Sequence, residues 1–80
     1  MSERLKFQGR LREKELQAEK IELKIAGLRT AIRDNLDPFE NVMGLKLDVV
    51  ASQAMEMAEV QIQLKEILAE IEAIKKALGK

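Results

Sequence analysis

The sequence predicts an all-α fold: a two-helix antiparallel hairpin of coiled-coil type that dimerises into a four-helix bundle. Three observations lead to this prediction. The chain of 80 residues is rich in Ala, Glu, Lys, Leu and Ile, and only 2% of it is aromatic, which is typical of long helices. Apolar residues recur every three or four positions in two long segments. The single proline, Pro38, lies between these segments.

The first segment, residues 3–35, predicts one long helix. Its apolar residues occupy positions a and d of a heptad repeat, and we name this row of residues the seam. Lys14 also falls at a d position. Its side chain either extends the ammonium group to the edge of the interface or specifies the register of the partner helix. The apolar seam residues are Phe7, Leu11, Ala18, Ile21, Ile25, Leu28 and Ile32.

The segment between the helices, residues 36–47, predicts a hinge with a short helical turn. Asp37 followed by Pro38 is a helix-start pattern, since aspartate caps free backbone N–H groups and proline suits the first helical position. We expect Phe39 and Val42 to fold over the end of the bundle as a plug. The hinge would then set the register of the two helices.

The second long segment, residues 49–78, predicts a helix of matching length. Asp48 is the expected N-cap, because its short acidic side chain can accept hydrogen bonds from the first turn. The two seams align in antiparallel order, so that Ile25 meets Met57. This agreement favours a hairpin over one continuous rod. The second seam consists of Val50, Met57, Val60, Leu64, Ile67, Ile71, Ile74 and Leu78, with Gln53 filling one d position.

Both helices carry a second apolar stripe outside the seam, in the half nearer the hinge. We expect the two stripes to form one continuous patch, and patches of this kind mark interfaces. Two occupants fit it: a second copy, which gives a homodimeric four-helix bundle, or another protein. Gly27 is either a tolerated glycine or a point where another backbone approaches closely. The predicted interface residues are Leu16, Leu23, Ala26, Gly27, Ala51, Met55, Ala58 and Ile62.

The composition disfavours several classes of function. Lys and Arg together number 14, as do Asp and Glu, and a net charge of zero disfavours a general polyanion binder. The chain has no Cys and no His, which excludes disulfides and zinc sites built on those residues. No hydroxyl has a histidine to activate it. We therefore expect no enzymatic activity, no catalytic residue, no cofactor and no metal.

The expected location is the cytoplasm, since the lack of cysteine suits a reducing compartment. The apolar runs are too short for a membrane span, so we expect no contact with a membrane.

A basic cluster near the start of the first helix is the secondary candidate site. It consists of Arg4, Lys6, Arg10 and Arg12. Cations at a helix N-terminus oppose the helix dipole, so helix stability does not explain them. They fit contact with nucleic acid or with an acidic protein surface. The chain has no Tyr or Trp on which bases could stack, which disfavours nucleic acid.

Several sequence segments together resemble small early-region proteins of Mu-like transposable phages and prophages. They are IRDNLDPFE, the following LKLD, and an Ala-rich second helix that closes with IEAIKKALG. The most specific part is Leu36 to Phe39 followed by Leu45 to Asp48. The resemblance covers most of the chain. It implies a small phage accessory protein that modulates a host protein in the bacterial cytoplasm. The predicted architecture is also similar to the Rop-type RNA-binding hairpin dimer, which is a likeness of fold alone.

Taken together, these features predict a non-enzymatic protein–protein interaction module. Two alternatives stay open at this point. One is a nucleic-acid-binding hairpin that uses the basic cluster, and the other is a purely structural coiled-coil component of a larger assembly.

Overall fold

Two long helices and a hinge make up the protein in a computed structural model, which describes residues 2–79. Helix α1 spans Glu3–Asn35, a short 3-10 helix spans Val42–Gly44, and helix α2 spans Leu47–Ala77. No residue in the described range lies in a strand. The prediction of an all-α chain with two long helices is confirmed.

Local hydrogen bonds set the two ends of α1. Ser2 is the N-cap, and its Oγ accepts a hydrogen bond from the backbone N–H of Leu5 at 3.3 Å. At the other end, the N–H of Leu36 donates to the carbonyl oxygen of Ile32 at 3.0 Å. Pro38 follows two residues later and disfavours helical geometry in the residue before it. The helix therefore ends just before the proline.

Helix α2 begins at Leu47, two residues before the predicted start. Lys46 occupies the N-cap position and makes no side-chain hydrogen bond there, since an ammonium group cannot accept one. The prediction that Asp48 is the N-cap is wrong. Asp48 lies in the first turn, where its carboxylate is still favourable for the helix dipole. Beyond the last turn, Gly79 has a φ of +75°, a conformation that glycine adopts without strain.

The two helices pack against each other in antiparallel order along the seam. The Nζ of Lys14 lies 2.6 Å from Oε2 of Glu70, and the Nζ of Lys24 lies 3.3 Å from Oε1 of Glu56. An earlier residue of α1 thus meets a later residue of α2. The molecule measures 61 × 18 × 14 Å, as expected for two helices lying side by side. Every predicted apolar seam residue is buried or half-buried.

The buried core lies toward the open end of the hairpin, which is the end opposite the hinge. From residue 19 to residue 59 no side chain is buried, and the seam there is only half-buried. We name this range the hinge half. The core cluster consists of Leu11, Ala18, Ile71, Ile74 and Leu78, with Phe7, Leu64 and Ile67 packed against it. The hinge half therefore leaves much of its apolar surface in contact with solvent.

The hinge is held in a defined turn but does not cover the end of the hairpin. The Oδ1 of Asp37 accepts a hydrogen bond from the N–H of Phe39 at 2.9 Å, and its carbonyl oxygen accepts from the N–H of Glu40 at 3.1 Å. Phe39 is 95% exposed and Val42 is 72% exposed. The predicted plug is wrong, because both side chains are exposed to solvent instead of packing on the end of the hairpin.

Neither α1 nor α2, both of which lie in the described range, has an apolar stretch long enough to cross a membrane.

Candidate interaction surface

All eight residues of the predicted interface are exposed. The side chain of Leu23 is 74% exposed and that of Met55 is 68% exposed. The packing of α1 on α2 therefore leaves these residues free, and the apolar area that an interface needs is accessible. Their role in an interface stays a prediction.

Helical periodicity divides these eight residues among different sides of the hairpin. The f positions, opposite the seam, are occupied by Leu16, Leu23, Met55 and Ile62. Ala26, Ala51 and Ala58 occupy b positions, and Gly27 occupies a c position. Equal heptad positions of an antiparallel pair lie on the same broad side, so the three alanines share one side and Gly27 lies on the other. The residues thus form two outer ridges and one alanine-rich side instead of a single patch.

The alanine-rich side gains a fourth alanine from an e position of α2, Ala54. We name Ala26, Ala51, Ala54 and Ala58 the alanine face. A shallow groove of about 280 Å³ lies on this side, and it is lined by Ile25, Ala54, Met57, Ala58 and Gln61. Because methyl side chains are too short to cover the seam, Ile25 and Met57 stay accessible from this groove. A helix that packs on the alanine face would cover them.

Charges of opposite sign border the alanine face on α1. Glu19 and Glu22 precede Ala26, and Arg29 and Arg33 follow it, all at b or e positions. Among the ion pairs found within residues 2–79, none involves the two glutamates or Arg29. The Nε of Arg33 lies 3.7 Å from Oδ1 of its neighbour Asp34. The side chains of Glu19, Glu22 and Arg29 are therefore available to a partner on the same side as the alanines. Arg33 has an exposed side chain and can exchange its contact with Asp34 for one with a partner.

A polar contact near the hinge was not predicted from the sequence. The Nδ2 of Asn35 donates a hydrogen bond to Oε1 of Gln53 at 3.1 Å, in a partly buried position. The available signal was a glutamine at a d position of an otherwise apolar seam. The bond ties the last residue of α1 to α2.

Lys14 occupies its seam position without being buried. Its side chain is 27% exposed and its ammonium group reaches Glu70 on α2. This geometry fits the interpretation in which the ammonium group extends to the edge of the seam, and a role of Lys14 in specifying the register stays a prediction. The stem lies along the seam, while the charge pairs with one residue of the partner helix.

The four residues of the basic cluster surround the first turns of α1. Arg4, Lys6, Arg10 and Arg12 are all exposed, but they occupy four different heptad positions. The guanidinium carbon of Arg10 lies 6.0 Å from the centroid of the Phe7 ring, which is within the range of a cation–π contact. The cluster therefore gives the open end a positive charge without forming one flat basic face.

Within residues 2–79 no three acidic side chains lie close enough together to hold a metal ion.

A scan against profiles of known protein families, a search of curated proteins and a search of solved structures each find no match for this chain.

Proposed function

We propose that this protein is a non-enzymatic interaction module whose hinge half self-associates into a four-helix bundle. The observation that supports the proposal is the absence of any buried side chain from residue 19 to residue 59, although the seam and the alanine face there are apolar. A chain of 80 residues buries a limited part of its surface alone. A second hairpin would supply the burial that the hinge half lacks.

The energetic gain comes from covering seam residues that the hairpin leaves half-buried. Ile25 and Met57 line the groove beside the alanine face. Full burial of an aliphatic side chain stabilises a protein by about 1.5–3 kcal/mol relative to full exposure, so completing the burial of several half-exposed residues contributes a few kcal/mol. Alanines around the groove lose almost no side-chain entropy on packing.

The outer ridges provide a second surface for contact with another protein. Leu16, Leu23, Met55 and Ile62 lie opposite the seam and stay outside a bundle formed on the alanine face. Methionine adapts well to varied partner surfaces. The resemblance to Mu-like phage proteins extends this proposal to a modulator of a host protein in the bacterial cytoplasm.

Self-association is tested by adding one charge to either broad side of α2. Ala58→Glu places a carboxylate on the alanine face, and burial of an unpaired charge is costly, so we expect the mass to fall from two chains to one. Ser52→Glu adds the same charge at an exposed c position on the other side, and its mass should match the wild type. Size-exclusion chromatography with light scattering measures both. A dimer that Ala58→Glu leaves intact would contradict the proposal.

A second candidate function is binding of nucleic acid at the open end. Its support is that Arg4, Lys6 and Arg12 are exposed and belong to none of the ion pairs found among residues 2–79. Binding through these cations would weaken steeply with salt and would be lost in Arg4→Ala with Arg12→Ala. Fluorescence anisotropy with a duplex DNA and a single-stranded RNA probe measures it. No binding at low salt would exclude this candidate.

A further inference from the structure

We propose that the second copy packs on the alanine face with its hinge at the opposite end of the bundle, so that α1 lies against α1 and α2 against α2. This inference rests on the proposed self-association and specifies its geometry. A symmetric dimer needs a surface that is complementary to itself. The alanine face and the charges beside it are complementary to their own copies when the two-fold axis passes through one point.

On α1 this point is Ala26. In an antiparallel α1–α1 pair centred there, Ala26 meets Ala26 of the second copy. The two glutamates before this residue then face the two arginines after it in the second copy. Glu22 lies beside Arg29 of the second copy, and Glu19 lies beside its Arg33. The row runs from two acidic residues through alanine to two basic residues. Its charges are therefore complementary to those of the same row in the opposite direction.

The same axis passes alanines on α2. The groove places Ile25 beside Ala54, Met57 and Ala58, so Ala26 lies alongside the stretch of α2 that carries these two alanines. In the dimer the Ala54–Ala58 stretch of one copy then meets the same stretch of the second copy. Small side chains at a contact allow helix axes to approach to about 8 Å. The groove beside the seam is closed by this approach.

The charges at the two ends of the hairpin favour opposite hinges. Residues 34–48 carry four carboxylates and one lysine, a net charge of −3, whereas residues 4–14 carry five cations and one glutamate, a net charge of +4. A dimer centred on Ala26 places the hinge of one copy at about the level of Arg12 in the other. A dimer with both hinges at one end would bring like charges together, which is unfavourable.

The contact area also suits a specific dimer. The overlap runs from the level of residue 12 to the hinge, which is about 28 residues or about 42 Å at 1.5 Å per residue. With the hairpin width of 18 Å, the footprint is about 750 Å² per copy, close to the roughly 800 Å² that each partner buries in a stable interface.

A single cysteine on the axis tests the orientation, because the natural chain has none. In the proposed dimer the two Cα atoms of residue 26 fall near the distance of about 4.4–6.8 Å that a disulfide spans. Ala26→Cys should therefore give a covalent dimer rapidly under mild oxidation. Gly27→Cys is the matched control: it changes the neighbouring residue, which points to the other broad side, and should cross-link only slowly.

A charge exchange tests the same geometry without a covalent bond. Glu22→Arg alone and Arg29→Glu alone should each weaken the dimer about tenfold by placing like charges opposite each other. The double variant should return the dissociation constant to within about threefold of the wild type. These residues are seven positions apart, too far for a pair within one helix, so recovery has to come from contact between copies.

The outcomes separate the inference from the proposed self-association. A wild-type dimer in which Ala26→Cys forms no disulfide faster than Gly27→Cys, and in which the double charge variant stays weak, would overturn the orientation and leave self-association standing. An equimolar mixture of Ala26→Cys and Ala54→Cys that gives mainly the mixed disulfide would assign the arrangement with both hinges at one end. A wild-type mass of one chain at all concentrations would overturn both.

Discussion

Gly27 shows how far a single residue can be interpreted before the fold is known. A Cβ atom at this position would have no neighbour within 4 Å in the hairpin. The sequence allowed two interpretations of Gly27, a tolerated glycine or a close approach of another backbone. Within the hairpin no other backbone approaches it closely. The c position also directs Gly27 away from the alanine face. What stays is the effect of glycine on helix propensity.

Replacing Gly27 with alanine should therefore stabilise the protein. We expect Gly27→Ala to raise the free energy of unfolding by roughly 1 kcal/mol per chain, because alanine loses less backbone entropy in a helix than glycine does. Urea denaturation followed by circular dichroism measures the change. Gly9→Ala is the matched control, since that site is equally open.

Two outcomes would contradict this interpretation of Gly27. A Gly27→Ala variant that is less stable than the wild type, or that loses the dimer while Gly9→Ala keeps it, would place Gly27 in a contact between copies. The assignment of the interface to the alanine face would then be wrong.

At the scale of whole elements, the seams could be predicted from the sequence because helical periodicity fixes which side chains share a face. The hinge could not be predicted in the same way. Phe39 was expected to be buried, but single apolar residues are often exposed, and periodicity gives no information about side chains in a loop. The start of α2 depended on one or two local hydrogen bonds, which sequence patterns locate poorly.

The exposure of the eight predicted interface residues could be predicted from the sequence, but their arrangement could not. The sequence identified the surplus apolar positions, because they fall outside the a and d pattern. One continuous patch was expected, but the heptad positions place these residues on different sides of the hairpin. The contact between Asn35 and Gln53 joins residues far apart in the chain, and nothing in the local sequence of Asn35 indicates it.

The two halves of the hairpin should respond differently to loss of a core side chain. Ile71 belongs to the buried cluster, so Ile71→Ala should cost about 2–5 kcal/mol. Ile25 is a half-buried seam residue, and Ile25→Ala should cost clearly less when the protein is monomeric. Both are measured by urea denaturation in the Ala58→Glu background, which removes self-association. Equal losses at the two sites would contradict the assignment of the core to the open end.

For the molecule as a whole, folding and self-association are expected to be linked. The open end holds the buried core and the positive charge, while the hinge half holds exposed apolar surface and the negative charge. A partner that binds only the folded chain stabilises it by mass action. The protein should therefore unfold at higher temperature as its concentration rises, and Ala58→Glu should remove this dependence.

The central claim is that the hinge half is completed by a second copy of the chain. Sedimentation equilibrium of the wild-type protein, from high nanomolar to high micromolar concentration, tests it most directly. We predict a mass that rises from one chain to two across this range and goes no higher, because the alanine face is used up in a closed symmetric pair. A mass of one chain throughout, or one that keeps growing beyond two, would contradict the claim.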